Sequence, residues 1–412
     1  MEDHQLGASP MRGAGGPLHV SIADDLDTVT EAIALSAERL GWKRTADVNA
    51  SDNERIGFTP TNIENGRRVS SSSAFLRPVL KRPNLTYIDR TKAGYLLFEG
   101  NRVIGVRTRN AAITHDYFAT KEVIVALGTI ESPLLLERSG IGNGKILARA
   151  GVETRVESPH VGERVIEQRA VGMQATLRND MGTINQGQNR LLNSPVKQAW
   201  AGAKYLVTHR GPIATGGYAL VSFFKSSPDV DRPDIQGLFA PLSRDVAANS
   251  LKLAKHGGLM FTGFQLRPTT ESSVHISGGL PGNVPIIDAH FLETENDRRV
   301  TATILDRARE VLSQHPLSEL VLHEEIPGAR VSSPEEVLKY SMDTGNTVHH
   351  AVGSCGMGPN NDDVVDAWLR VRGVDGLRVV DASVFPTMIA GNTAAPIMAL
   401  AWRASDLILG SN

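Results

Sequence analysis

At 412 residues the chain is long enough for two or three domains with a substantial core, and its 41% hydrophobic and 21% charged content is that of a globular protein. A formal net charge of -2 gives no electrostatic reason to expect nucleic acid or an anionic membrane as partner, and 5% aromatic residues are too few for base-stacking platforms. A single cysteine, Cys355, excludes an internal disulfide, no Cys/His spacing suits zinc, and no apolar run approaches the roughly 20 residues of a membrane span, so a cytoplasmic chain without a metal site is the expectation.

Residues 1–20 are polar and Gly-rich, read as loop, and do not form a signal peptide. Residues 21–41 read as a helix: Leu26, Val29, Ile33, Ala37 and Leu40 fall at helical spacing, acidic residues fill the first turn and Gly41 stands at the stop. Residues 50–80 are rich in Ser, Asn, Gly and Arg and look irregular. From Asn84 onward the runs LTYI, YLLF, RVIGVRTR, AITHDYF and EVIVAL are strand-like, and the continuously apolar EVIVAL predicts a strand buried on both faces. Gly128 ends that run and a helical segment follows, the local pattern of an α/β nucleotide-binding unit. Residues 170–340 mix strand-like pieces with a long charged helix over 293–315. A closing α/β element runs from LRVVDAS through a turn into the helical IMALAWRASDLILG.

The segment GTIESPLLLERSGIG, residues 128–142, resembles the second signature of the glucose–methanol–choline oxidoreductases. It agrees at Gly128, Thr129, Ser132, Pro133, Leu135, Leu136, Ser139, Gly140, Ile141 and Gly142. RGAGGPLHV, NGRRVSSSSAFLRP, RPDIQ, FQLRPTTESSVHIS and the block from VHHAVGSCGMG to the final helix agree in the family's order, so the resemblance spans nearly the whole chain. It implies a mixed α/β and α+β fold. A Rossmann-like FAD-binding domain would occupy residues 76–155 and 346–412. A substrate domain with an antiparallel sheet would occupy 156–345, preceded by an entrance loop (1–20) and substrate-domain helices (21–75).

Two departures from the family stand out. VGERVIEQ, from Val161 to Gln168, replaces the usual Asn-Leu-x-Asp-His run, which puts the local contacts there in doubt. No GxGxxG turn occurs anywhere in the chain, so the backbone amides that would hold the cofactor's pyrophosphate are missing. The expectation is a member truncated at its N-terminus that binds FAD poorly by itself, with EVIVAL and LRVVDAS left without a neighbouring strand.

The resemblance implies oxidation of an alcohol by hydride transfer to FAD, with oxygen or a quinone-like compound as electron acceptor. The family's catalytic histidine falls on His350, with Asn392 as the second active-site residue: an imidazole can take the hydroxyl proton near neutral pH, whereas an amide can only hydrogen-bond. The plainer alternatives are a core histidine satisfied by hydrogen bonds and a turn residue before a helix. Val348 and His349 are expected on the substrate side, with His349 and His350 pointing opposite ways on extended backbone. Asp381, Ala382, Thr393, Ala394 and, weakly, Ala93 are expected to contact FAD. Cys355 reads as a small packed residue. A hydroxynitrile lyase on the same scaffold and a cofactor-free fragment are the alternative functions.

Overall fold

The computed structural model describes residues 1–22, 27–110, 113–178, 188–246 and 252–410. The principal elements in chain order are α1 (Thr28–Arg39), β1 (Lys43–Arg44), β2 (Arg55–Phe58), β3 (Lys92–Glu99), β4 (Arg102–Asn110), β5 (Ile113–Phe118), β6 (Val123–Val125) and α2 (Gly128–Arg138). They continue with β7 (Ala170–Leu177), α3 (Pro195–Thr208), β8 (Leu220–Phe224), β9 (Ile235–Ala240), β10 (Gly258–Gln265), α4 (Glu295–Ser313), β11 (Val321–Ile326), α5 (Pro334–Thr344), β12 (Leu377–Val379) and α6 (Ala394–Leu409).

Two compact units are resolved. The first comprises Met1–Leu85, Arg169–Gln265 and Arg298–Asn346. Its centre is a seven-stranded sheet in the order β11-β7-β10-β9-β8-β2-β1. All five residues of β8 are buried, so this strand has a covered surface on both sides. Helix α1 starts at Asp27, whose carboxylate accepts from the amides of Val29 and Thr30, and it buries Val29, Ile33 and Ala37. These join Ile304, Leu305, Ala308 and Val311 of α4 in one apolar core, where Trp42 stacks on Phe224 with ring centroids 4.7 Å apart.

The helix expected over 21–41 is shorter than its pattern suggested. Ser21 and Ile22 end a strand, Leu18–Ile22, and Leu26 lies outside the described residues. Residues 1–20, read as loop, carry the strand Glu2–His4 and the start of the strand Leu18–Ile22, paired in parallel from Glu2↔Leu18 to His4↔Val20. Beyond α1, the expected substrate-domain helices over 21–75 give way to short strands, including the hairpin Ile63–Glu64/Arg67–Arg68. Strands this short carry too little period-2 signal to be read from sequence.

The second unit comprises Thr86–Gln168, Leu266–Asp297 and Thr347–Asn412. It holds an antiparallel sheet β5-β4-β3 and a parallel pair of β6 with β12, in register Val123↔Leu377 to Val125↔Val379. EVIVAL and LRVVDAS are therefore each other's neighbours, contrary to the expectation that both would lack one. EVIVAL is also not buried on both faces: Val125 is 3% exposed but Ile124 is 44%. LTYI forms no strand. Leu85, Tyr87 and Ile88 are exposed, and local β-propensity without a partner does not order a ladder. The core is built from Val125, Leu135, Leu136, Ile141, Val364, Val371, Leu377, Val379 and their neighbours.

Candidate active site

All the residues of the site lie in the second unit, and the 128–142 segment builds its frame. Helix α2 contains Pro133, which removes the amide that would bond the Thr129 carbonyl. The Ser354 hydroxyl fills that place, donating to the Thr129 carbonyl at 2.6 Å, while the Thr129 hydroxyl donates to the Ala351 carbonyl at 2.6 Å. These reciprocal bonds pin the stretch 350–354 to the first turn of α2. Gly353, at φ +100°, bends the stretch beside the Arg164 carbonyl, where a Cβ would come within 2.3 Å.

On its other side the stretch is bridged to the segment that departs from the family pattern. Ile166 and Val352 exchange backbone hydrogen bonds of 3.0 Å, and both Glu167 carboxylate oxygens accept from the His350 amide at 3.0 Å. Gln168, fully buried, has its amide orientation fixed because Nε2 donates to the carbonyls of Leu266 (3.0 Å) and Ile389 (3.4 Å). Its Oε1 can only accept, so His350 donates Nδ1–H to it at 2.7 Å. Nε2 of His350 is then the unprotonated nitrogen, and Asn392 Nδ2 donates to it at 3.3 Å. Burial, reinforced by the nearby charge of His349, lowers the His350 pKa to about 4. The imidazole is therefore neutral at physiological pH, as a proton acceptor must be. Burial pushes the Glu167 carboxyl up, partly offset by the amides of His350, Gln168 and Ala351.

The expected site residues thus fall into groups. His350 and Asn392 are in contact. Val348 is half-buried, and His349 is exposed with φ +61°, so the two histidines diverge through a left-handed residue rather than through extended backbone. Thr393 and Ala394 begin α6, with Thr393 buried and Ala394 exposed. Asp381 and Ala382 follow β12. The Asp381 carboxylate is engaged by Gly128 N (2.9 Å), Ser132 Oγ (2.5 Å), Ser383 N (2.8 Å) and Ser383 Oγ (2.5 Å), so it ties the strand end to the start of α2. Ala93 is half-buried on β3, paired with Thr108. Cys355 is fully buried and burial pushes its thiol pKa up, which makes it a packing residue and not a nucleophile. His160, Asp362 and Asp363 converge within 4.8 Å, and the Arg164 guanidinium bonds His160 Nε2 and Asp363 there, both at 3.1 Å. Glu167 and Gln168 escaped the sequence reading, whose only signal was that the family pattern failed where they stand.

Residues 3–170 match the N-terminal domain of the GMC oxidoreductases and residues 268–401 match the C-terminal domain. The chain is 31% identical over 409 residues to mouse (Mus musculus) mitochondrial choline dehydrogenase, covering 99% of this chain and 67% of that protein. It is 33% identical over 405 residues to the oxygen-dependent choline dehydrogenase of Staphylococcus xylosus, covering 97% and 70%. The crystal structure of pyridoxine 4-oxidase from Mesorbium loti superposes with a TM-score of 0.86 at 27% identity, covering 100% of this chain and 76% of that one. With both domain matches in order along a chain that aligns almost throughout, the protein belongs to the GMC oxidoreductase family of FAD-dependent alcohol oxidoreductases.

Proposed function

We propose that this chain oxidises a small primary alcohol to the aldehyde, with His350 taking the hydroxyl proton and Asn392 positioning the oxygen. One observation carries the reading: a buried imidazole whose Nδ1–H is committed to Gln168, leaving the Nε2 lone pair at the Asn392 amide. FAD, when bound, supplies the acceptor for the hydride leaving the carbinol carbon.

The residues present suit the redox end of that cofactor. The site offers a neutral base and an amide, and the one thiol nearby in the chain, Cys355, is fully buried. Thr393 and Ala394 put amide groups at the N-terminus of a 16-residue helix, where negative charge is favoured. In this reading Thr393, Ala394 and Ala382 hold the flavin, Ala93 reaches the adenosine side and Asp381 acts through the frame it ties together. The substrate hydroxyl takes the place of the Asn392 amide at His350 Nε2, and the proton passes to that nitrogen as the C=O bond forms. Asn392 then donates to the substrate oxygen and stabilises its developing charge. Val348 and His349 line the approach. The relatives named choline dehydrogenases make choline one of the alcohols to try first.

The test is the chain loaded with excess FAD, which offsets the weak binding expected without the pyrophosphate turn, and mixed anaerobically with a panel of primary alcohols, choline included. Flavin bleaching is expected, and its rate should fall by roughly 10²–10⁴-fold in His350→Ala while bound flavin is retained. An unchanged rate in that variant overturns the assignment. A substrate consumed without bleaching would point to lyase chemistry instead.

A further inference from the structure

The face of α3 that points away from the first unit carries an apolar stripe. Ala201 is buried and the Tyr205 hydroxyl donates to the Gly66 carbonyl at 3.1 Å, which fixes the packing side of the helix. On the opposite side stand Val196, Trp200, Ala203 and Val207, spaced i, i+4, i+7 and i+11, a single helical face. Val196 is 80% exposed, Trp200 60% and Val207 82%. Lys197 and Lys204 flank the stripe on one side, and the Lys204 ammonium lies 5.5 Å from the Trp200 ring centroid. From residue 188 to 228 the sequence carries Arg190, Lys197, Lys204, Arg210 and Lys225 and no Asp or Glu.

We propose that α3 is a docking surface for an anionic phospholipid membrane, lying in the plane of the interface with Val196 and Val207 at the acyl chains and Trp200 at the headgroup boundary. Apolar residues on one helical face, a tryptophan suited to the headgroup boundary and flanking lysines that reach lipid phosphates are the requirements of a peripheral interfacial helix. A second copy of the chain fits this face less well. An antiparallel two-fold pairing of α3 sets the lysine flank against its own copy, with no carboxylate on the helix to meet it.

Sedimentation of the full chain with vesicles tests this, using a phosphatidylcholine–phosphatidylglycerol mixture and phosphatidylcholine alone. Binding to the mixed vesicles is expected, weakening with added salt and much reduced on the neutral ones. Val196→Glu/Val207→Glu should lower partitioning by about ten-fold or more, and Lys197→Gln/Lys204→Gln should lower it by on the order of ten-fold on the mixed vesicles alone. Far-UV circular dichroism establishes that each variant is folded, and Trp200→Ser gives an independent reading of the same face. Wild-type chain left in the supernatant with both vesicle types overturns the proposal, as does equal sedimentation of the glutamate variant. So does concentration-dependent dimerisation that the glutamate variant abolishes while vesicles bind nothing.

Discussion

The proton arrangement at His350 is set by Gln168, which meets the ring nitrogen that Asn392 does not. Two backbone carbonyls orient the Gln168 amide, and its oxygen in turn decides which imidazole nitrogen carries hydrogen. Gln168→Glu places a carboxylate at Nδ1, which favours the imidazolium and raises the His350 pKa. The acid limb of the kcat/KM profile should then move up by about one pH unit or more, with KM for the alcohol little changed. Gln168→Leu, which removes the acceptor, should lower kcat without that displacement. Identical profiles for wild type and Gln168→Glu would show that the amide does not set the base. His350 and Asn392, which the structure brings into contact, could be singled out because they sit in stretches that resemble the family's C-terminal block. Gln168 could not, since it meets His350 across 182 positions of chain. The pairing of Ile166 with Val352 that brings them together leaves no mark on local periodicity.

Among the elements, α2 was the most legible, and its contacts explain why so many of its positions are constrained. Gly128 and Ser132 bind Asp381, Thr129 binds Ala351, and the Ser139 hydroxyl accepts from the Leu96 amide. Gly140 sits at φ +84°, where a Cβ would meet the Glu153 carbonyl oxygen at 2.7 Å. The last turn of the helix carries a second network that sequence could not reveal. His275 bonds Glu137 at 2.7 Å and Glu163 at 3.1 Å, and Glu137 is fully buried. Burial on its own would depress the His275 imidazole, yet the bonds to and charges of Glu137 and Glu163 together outweigh it and raise its pKa. A raised folded-state value means this stabilisation is complete below the unfolded pKa of about 6.5 and drains away as pH rises through the folded one. Melting temperature should therefore fall between mildly acidic and alkaline pH, and His275→Gln should melt lower at acidic pH with a flatter pH dependence. Parallel curves for the two proteins would mean the triad contributes no proton-linked stability. EVIVAL and LTYI were read less well: apolar runs report propensity, whereas exposure at Ile124 and Tyr87 depends on which strands and layers lie alongside.

For the whole molecule, the mixed α/β and α+β class and the family were legible because motif order persists along nearly all 412 residues. Charge was misleading in one respect. A net value of -2 conceals a stretch of some forty residues without a single acid, so the remainder is correspondingly acidic and the sum says nothing about the α3 face. Among the described residues no helix is long and apolar enough to cross a membrane, which leaves surface attachment through α3 as a separate question.

The proline in α2 has a consequence for how this enzyme tolerates change. Because the Ser354 hydroxyl, four residues after His350, completes the helix's hydrogen bonding, the proposed role of His350 would make folding strength and reactivity share one fastener. Ser354→Ala leaves the Thr129 carbonyl unsatisfied, at a cost of about 1–3 kcal/mol, and should slow turnover in the same variant, measurable as a lower melting temperature together with a lower kcat. A drop in one without the other would uncouple them. Attempts to toughen the protein near Pro133 would accordingly be felt at the imidazole, and selection for speed there would be paid in robustness.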